Sequence, residues 1–227
     1  MIDKFVRTMA EAMDGIADGA TVLIGGFGAV GQPNALIDGL IEQGARDLTI
    51  VLNNAGSGRV GVSRLMELRR VRRIVCSFPR SSDSTVFEEL YKAGLIELEL
   101  VPQGTLAERM RAAGAGIPAF YTATSVGTLL GQGKEVRRFG ERDYVMEHAL
   151  PGDVALVEAW QADRWGNLTF RDSGRNFNPV MATAARLTIV QTQHVVELGD
   201  IPPEHVMTPG IHVDRVLHVP YGDPPLF

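Results

Sequence analysis

Along the chain, apolar runs of strand length alternate with segments whose apolar residues recur at helical spacing, which predicts repeated βα units around a parallel sheet. The expected fold class is α/β, an open, largely parallel sheet with helices on both faces. Residues 4 to 17 read as an amphipathic helix that Asp18-Gly19 ends ahead of a strand, Ala20-Thr21-Val22-Leu23-Ile24. After a glycine-rich turn, Pro33 suits a first helical turn, and Ala35-Leu36-Ile37 with Leu40-Ile41 repeat at helical spacing until Gly44. A second strand, Leu48-Thr49-Ile50-Val51-Leu52, runs into the polar turn Asn53-Asn54-Ala55-Gly56, at the end of the strand where open α/β sheets place ligands. Further strands are expected over 73–77, 96–101, 154–160, 187–191 and 212–219, and helices near 83–93, 104–113 and 178–185. The stretch from Gly127 to Gly133 is the softest point in the middle and suits a flexible excursion without requiring a second domain. One domain is expected over 1–219, and the proline-rich 220–227 reads as an extended tail.

Composition narrows the classes. At 227 residues and 45% hydrophobic, the chain can bury a sizeable core. Its net charge of -5, with acidic and basic residues interspersed, provides no extended basic surface, so nucleic acid is not an expected partner. Apolar stretches are broken by Gly or Pro at strand length, and Met1-Ile2-Asp3-Lys4 has no apolar signal-peptide core, so no membrane partner and a cytoplasmic location are expected. The single Cys76 can form neither an intrachain disulfide nor a thiolate metal site, and its flanks Arg73-Ile74-Val75 and Ser77-Phe78 read as a buried strand. His194, His205, His212 and His218 show no metal-ligand spacing, so no metal site is expected; His212 and His218 read as sharing a strand face or its contacts.

Gly25-Gly26-Phe27-Gly28-Ala29-Val30-Gly31 lies between a buried strand and a helix start. Glycines there let the backbone approach a ligand, and free N–H groups at a helix N-terminus attract an anion or a developing oxyanion. A tight turn with no ligand uses the same residues. Gly26-x-Gly28-x-x-Gly31 also spells the dinucleotide fingerprint, but that reading needs an acidic residue after the next strand, where this chain has Asn53. Asn53-Asn54-Ala55-Gly56 mimics a segment of short-chain dehydrogenases, yet none of Tyr91, Tyr121, Tyr144 and Tyr221 is followed by the required lysine.

Taken in order, several motifs resemble the A subunits of class I CoA-transferases over nearly the whole chain. They are Gly25-Gly26-Phe27-Gly28-x-x-Gly31-x-Pro33, Asn53-Asn54-Ala55-Gly56, Glu97-Leu98-Glu99-Leu100-Val101-Pro102-Gln103-Gly104-Thr105-Leu106-Ala107-Glu108-Arg109 and Gly114-Ala115-Gly116-Ile117-Pro118-Ala119-Phe120. Asp163-Arg164-Trp165-Gly166-Asn167-Leu168, Arg175-Asn176-Phe177-Asn178-Pro179 and Thr208-Pro209-Gly210-Ile211 follow. Within the family, Cys76-Ser77-Phe78-Pro79-Arg80 and the stretch from Val190-Gln191 to Val196-Glu197-Leu198-Gly199 look most like 3-oxoadipate CoA-transferases, with acetoacetate-type enzymes the alternative.

The resemblance implies a ping-pong transfer of CoA from succinyl-CoA to a 3-oxo acid. A glutamate carboxylate attacks the acyl-CoA thioester, an acyl-glutamyl anhydride forms, and CoA thiolate returns to give an enzyme–CoA thioester that the second acid consumes by the reverse route. In the family this glutamate belongs to the B subunit, and A2B2 heterotetramers are implied, with a CoA thioester as substrate and no permanently bound cofactor. The A subunit is then expected to supply neutral amide donors to the tetrahedral oxyanions, and the family's active-site positions fall on Asn53 and Gln103. By their residue type alone these are equally a turn-capping Asn and a loop Gln. Gly25, Gly26, Phe27, Gly28, Ala29, Val30 and Gly31, with Asn54, Ala55 and Gly56, are the expected CoA- and substrate-facing positions.

Two Glu-x-Gly sequences, Glu197-Leu198-Gly199 and Glu42-Gln43-Gly44, lack the surroundings of the nucleophile and are set aside. Arg69-Arg70 and Arg72-Arg73 could reach CoA phosphates but read more simply as a charged helix end. The chain departs from the family at Thr124-Ser125-Val126-Gly127-Thr128, where relatives often carry Thr-Gly-Tyr-Gly-Thr; losing the first glycine and the tyrosine is expected to change the loop's size and flexibility.

Overall fold

The computed structural model describes residues 2–80 and 84–220. In chain order the elements are β1 (Phe5–Val6), α1 (Met9–Met13), β2 (Thr21–Ile24), α2 (Asn34–Gln43), β3 (Leu48–Val51), α3 (Gly61–Glu67), β4 (Val71–Cys76), α4 (Val86–Lys92), β5 (Glu97–Leu100), α5 (Gln103–Gly114) and β6 (Ala119–Thr122). Then come β7 (Val136–Phe139), β8 (Arg142–His148), β9 (Gly152–Ala162), β10 (Leu168–Thr169), α6 (Asn178–Ala184), β11 (Ala185–Val195) and β12 (Arg215–His218).

The main sheet runs β1-β12-β11-β9-β2-β3-β4-β5 with every neighbouring pair parallel, and β10 adds antiparallel to β9. Strands covered on both faces have no polar face to present, which is why β3 is apolar or buried at all four positions. Alternate residues serve two cores. Val22, Ile24, Ile50, Ile74, Leu156 and Ile189 pack with Met13 of α1, Leu36 and Leu40 of α2, Leu65 of α3 and Phe87 of α4. Leu23, Val51, Val75, Val157 and Val190 pack with Leu106 and Met110 of α5 and Met181 of α6. From β2 the chain builds outward through β3, β4 and β5, and from β9 it builds the other way, so the sheet's direction of growth switches between β2 and β9. A crevice for ligands opens at such a switch, outside the strands' carboxyl ends.

The helix expected over 4 to 17 is two elements. Phe5 and Val6 pair with Val216 and Leu217 as an edge strand, and α1 starts only after Thr8, whose Oγ1 accepts from Glu11 N–H at 3.1 Å while Glu11 Oε2 accepts from Arg7 N–H at 2.7 Å. This reciprocal cap fixes the helix start inside the periodic segment. The strand expected over 212–219 begins at Arg215, because Gly210–His212 forms a turn of 3-10 helix; His212 and His218 therefore share no strand. Asp83, the first residue of the helix expected over 83–93, and the expected tail beyond Pro220 lie outside the described residues.

The soft segment from Gly127 to Gly133, with a turn of 3-10 helix at Leu129–Gly131, links β6 to β7 within a three-stranded antiparallel sheet, β6-β8-β7. Its strand β7 is exposed throughout, so it carries no periodic apolar signal. Cohesion comes instead from Phe139, which stands edge-on to Tyr121 and Tyr144 with ring centroids 5.3 and 5.5 Å away, and from an ion pair between Lys134 and the buried Glu147.

Candidate functional site

Two residues past β3, Asn53 sits at the carboxyl end of the sheet and is 5% exposed. Its main-chain carbonyl accepts from the N–H groups of Ser77 and Phe78, both at 3.1 Å, which ties the end of β3 to the end of β4. The register Val51 to Val75 continues to Asn53 beside Ser77, so their side chains emerge on the same face, toward α5. There Asn53 Oδ1 accepts from Ser77 Oγ at 2.7 Å and from Gln103 Nε2 at 2.8 Å. Gln103 is the first residue of α5 rather than a loop residue, with Pro102 fixing the entry to the helix. Sequence reasoning named Asn53 and Gln103 separately, and the fold joins them directly.

These bonds decide which end of the amide is available. Both acceptor sites of Oδ1 are filled by donors, and with Gln103 held as it is, turning the amide over would set Nδ2 against the Gln103 donor and force the Ser77 hydroxyl to redirect its proton. Among the described residues Nδ2 donates to nothing. The same holds for acids: no Asp or Glu among the described residues hydrogen-bonds to Asn53, Ser77 or Gln103. The site therefore offers neutral N–H donors that no carboxylate among the described residues engages. The turn beyond Asn53 is tightly built. Asn54 pairs with Phe78, Ala55 and Gly56 are buried, and Gly56, at φ 85, leaves room for Ser63, whose Oγ would lie 2.6 Å from a β-carbon there.

The glycine segment is a hairpin. Phe27 and Val30 exchange main-chain hydrogen bonds of 3.0 and 3.2 Å, with Gly28 at φ 61 in the tight turn between them. Gly25 and Gly26 form its buried base and Phe27 to Val30 its tip, where Phe27 is 50% exposed. The expected row of free N–H groups is only partly there, because Gly25 N–H bonds Leu156 O at 3.0 Å and Gly26 N–H bonds Asn176 Oδ1 at 3.0 Å. Those of Gly28 and Ala29, at the tip, have no acceptor among the described residues. Nor does the segment lead straight into a helix as a dinucleotide loop does, since α2 starts after Gly31, Gln32 and Pro33.

Asn176 and Asn178, just before and at the start of α6, clamp this hairpin. Asn176 Nδ2 donates to Val30 O at 3.0 Å, Asn178 Nδ2 to Gly31 O at 2.9 Å, and Asn178 Oδ1 accepts from Glu158 N–H at 3.0 Å. Neither was among the expected site residues. Their sequence signal was present in Arg175-Asn176-Phe177-Asn178-Pro179, two amides that straddle an apolar residue immediately before a helix.

On the opposite face, toward α2, the carboxylate of Glu158 on β9 lies between two amides, accepting from Gln191 Nε2 at 3.2 Å and, weakly, from Gln193 Nε2 at 3.5 Å. Gln191 Oε1 in turn accepts the Leu36 N–H at the start of α2, at 3.2 Å. Burial drives the Glu158 carboxyl up to about 7, against the opposing effect of the Gln193 and Gln191 donors. Burial likewise pushes the Cys76 thiol up to about 12, so it is a core residue with no reactive thiolate. Among the described residues no cluster of three or more His, Cys, Asp or Glu could hold a metal, and no helix is long and apolar enough to cross a membrane.

Residues 6–218 match the family described as Coenzyme A transferase. The chain is 57% identical over 219 residues to the A subunit of 3-oxoadipate CoA-transferase from Pseudomonas putida, covering 96% of this chain and 95% of that one. It is 50% identical over 214 residues to the A subunit of succinyl-CoA:3-ketoacid coenzyme A transferase from Xanthomonas campestris pv. campestris, covering 94% and 88%. Among solved structures it superposes on an acyl-CoA transferase from E. coli O157:H7, a thioester complex with CoA, with a TM-score of 0.86 and 25% identity. That alignment covers 99% of this chain and 50% of the other, so the chain spans half the length of that enzyme.

Proposed function

Since the chain belongs to the coenzyme A transferase family, we propose that it is the A subunit of a 3-oxoadipate CoA-transferase and lends amide donors to a reaction whose nucleophile sits on a B subunit. The observation that carries this reading is the fixed polarity of Asn53, with Oδ1 engaged by Ser77 and Gln103 and its N–H groups left over. The higher identity to the Pseudomonas putida 3-oxoadipate enzyme, 57% against 50% for the Xanthomonas 3-ketoacid enzyme, favours the longer acceptor.

The chemistry needs donors and no local acid. A carboxylate on the partner adds to the succinyl-CoA carbonyl, the C–S bond breaks, and CoA thiolate leaves an anhydride. The thiolate then adds to the glutamyl carbonyl, the C–O bond to succinate breaks, and a glutamyl–CoA thioester remains. The acceptor carboxylate repeats both steps in reverse and regenerates the glutamate. Nucleophiles and leaving groups are anions throughout, so no proton changes hands. Every addition puts negative charge on a former carbonyl oxygen, which a preorganised N–H stabilises more than it does the ground state. In this reading Asn53 Nδ2 is that donor, and Gln103 supports it, with its second Nε2 hydrogen free for substrate. The hairpin tip, Phe27 to Val30 with the Gly28 and Ala29 N–H groups, and the turn Asn54-Ala55-Gly56 form the wall that faces CoA and the acid.

A partner is expected over this edge. Phe27, Val60 and Phe78, on the loops after β2, β3 and β4, are 50%, 74% and 61% exposed, more apolar surface than a lone chain gains by showing around a polar site. We assign them to contact with the B subunit in a cytoplasmic A2B2 enzyme of aromatic compound breakdown, with residues 1–219 acting as one domain.

Co-expression with the B-type chain tests the whole reading. The purified complex should form 3-oxoadipyl-CoA from succinyl-CoA and 3-oxoadipate, with ping-pong kinetics and a light-scattering mass of two copies of each chain. This chain alone should be inactive. Activity without a partner overturns the reading, and a preference for acetoacetate over 3-oxoadipate overturns the substrate while leaving the family in place.

A further inference from the structure

We propose that Ser77 is a positioning residue for the transfer reaction: its hydroxyl locks the polarity of the Asn53 amide, so that the nitrogen of that side chain faces the reacting carbonyl. This rests on the reading of Asn53 as an oxyanion donor. Ser77 follows β4 and stands in register with Asn53 across the parallel pair, which puts both side chains on the α5 face. Its Oγ carries one proton and has two acceptors within reach, Asn53 Oδ1 at 2.7 Å and Asn53 O at 3.0 Å. The shorter bond goes to the side chain.

Gln103 cannot do this work alone. A glutamine amide presents either an N–H or a carbonyl to its neighbour, so Gln103 and Asn53 turned over together still make one hydrogen bond. In that inverted pair Asn53 Nδ2 would point at Gln103 and Ser77, and its carbonyl oxygen would repel the oxyanion. The inversion stays cheap unless a third group distinguishes the two ends of the Asn53 amide. Ser77 is that group. With its main-chain N–H already on Asn53 O at 3.1 Å, the serine backbone is fixed, and the Asn53 carbonyl next to Oγ is an acceptor only. Leaving the hydroxyl to donate to Oδ1 satisfies all the partners at once. An inverted Asn53 would have the hydroxyl accept from Nδ2 and direct its proton to Asn53 O, through a longer bond.

The test uses the complex with the partner B chain, assayed from succinyl-CoA to 3-oxoadipate. Ser77→Ala is expected to lower kcat about 10-fold, less than the 10²–10³ typical for deleting an oxyanion donor itself, with KM for both substrates within about twofold. Ser77→Cys fills the space with a weak donor and is expected to fall like Ser77→Ala, while Ser77→Thr, which keeps the hydroxyl, recovers kcat to within about threefold of the parent. In an Asn53→Ala background Ser77→Ala should cause no further loss, because the group it positions is gone. Full activity of both Ser77→Ala and Ser77→Cys, or losses that multiply with Asn53→Ala, overturn the role of Ser77 and leave Asn53 standing. An Asn53→Ala complex with undiminished kcat overturns the donor reading itself.

Discussion

A β-carbon placed on Gly25 would lie 1.8 Å from Oδ1 of Asn178, so the base of the hairpin and the start of α6 occupy one shared space. Asn178 is fully buried and commits its amide to three main-chain partners, Gly31 O, Gly174 O and Glu158 N–H. Gly25→Ala must displace that side chain. The combined overpacking and loss of buried hydrogen bonds is expected to cost about 3 kcal/mol, which lowers the melting temperature by about 6–12 °C in a chain of this size. Because both changes break the same clamp, Gly25→Ala with Asn178→Ala should cost little more than the worse single variant, and calorimetry of the three proteins measures this.

The centre of the sheet was legible because its strands are buried on both faces and read as apolar runs; Leu48 to Val51 is the plainest. Legibility failed where a local cap overrode periodicity, as Thr8 and Glu11 do inside the segment read as one helix, and where strands lie open to solvent, as in β7. Asn53 stood out as a polar residue closing an apolar strand. What its amide does was not legible, because it depends on Ser77 and Gln103, which are 24 and 50 residues away and meet it only through the register of β4 and the first turn of α5. Asn176 and Asn178 were visible as residues and silent as to role, since main-chain carbonyls in another part of the chain leave no mark on sequence.

Asn53→Asp keeps the shape and both hydrogen bonds to Ser77 and Gln103, and replaces the donating nitrogen by an acceptor oxygen. The expected result is a folded complex whose melting temperature moves little and whose kcat falls by about 10²–10³, the usual cost of one oxyanion donor. Steady-state kinetics beside a thermal melt checks both halves of this expectation.

Ser125 holds a left-handed backbone at φ 75 in the turn that leads to Thr128. Its carbonyl accepts from both the N–H and the Oγ of Thr128, at 3.1 and 2.9 Å, so the surrounding turn enforces the conformation. Ser125 thus holds under strain a backbone conformation that favours glycine. Ser125→Gly is expected to stabilise the chain by up to about 1 kcal/mol, raising the melting temperature by about 2–4 °C. Gly131→Ala should do the reverse, because its β-carbon would lie 2.3 Å from Ser125 O.

Glu158 predicts a pH dependence of stability. Its carboxyl titrates near 7 in the folded chain against an ordinary 4.5, with burial the main cause. Between those values the folded protein keeps the proton and the unfolded chain releases it, so the contribution of Glu158 to stability is greatest below about pH 4.5 and declines by about 1.4 kcal/mol per pH unit until about pH 7, where it levels off. The neutral acid also has a natural partner: Gln193 Oε1 is buried with no hydrogen bond among the described residues and, after its amide turns over, can accept the carboxyl proton. Glu158→Gln mimics that neutral state at every pH, its carbonyl accepting from Gln191 and its amide donating to Gln193. The variant should match the parent near pH 4.5 and exceed it by about 3 kcal/mol above pH 7. Urea titrations of both proteins at pH 5, 6, 7 and 8 measure the difference. Parallel stability curves across that range would place the Glu158 proton outside the folded state and leave the slope to other groups.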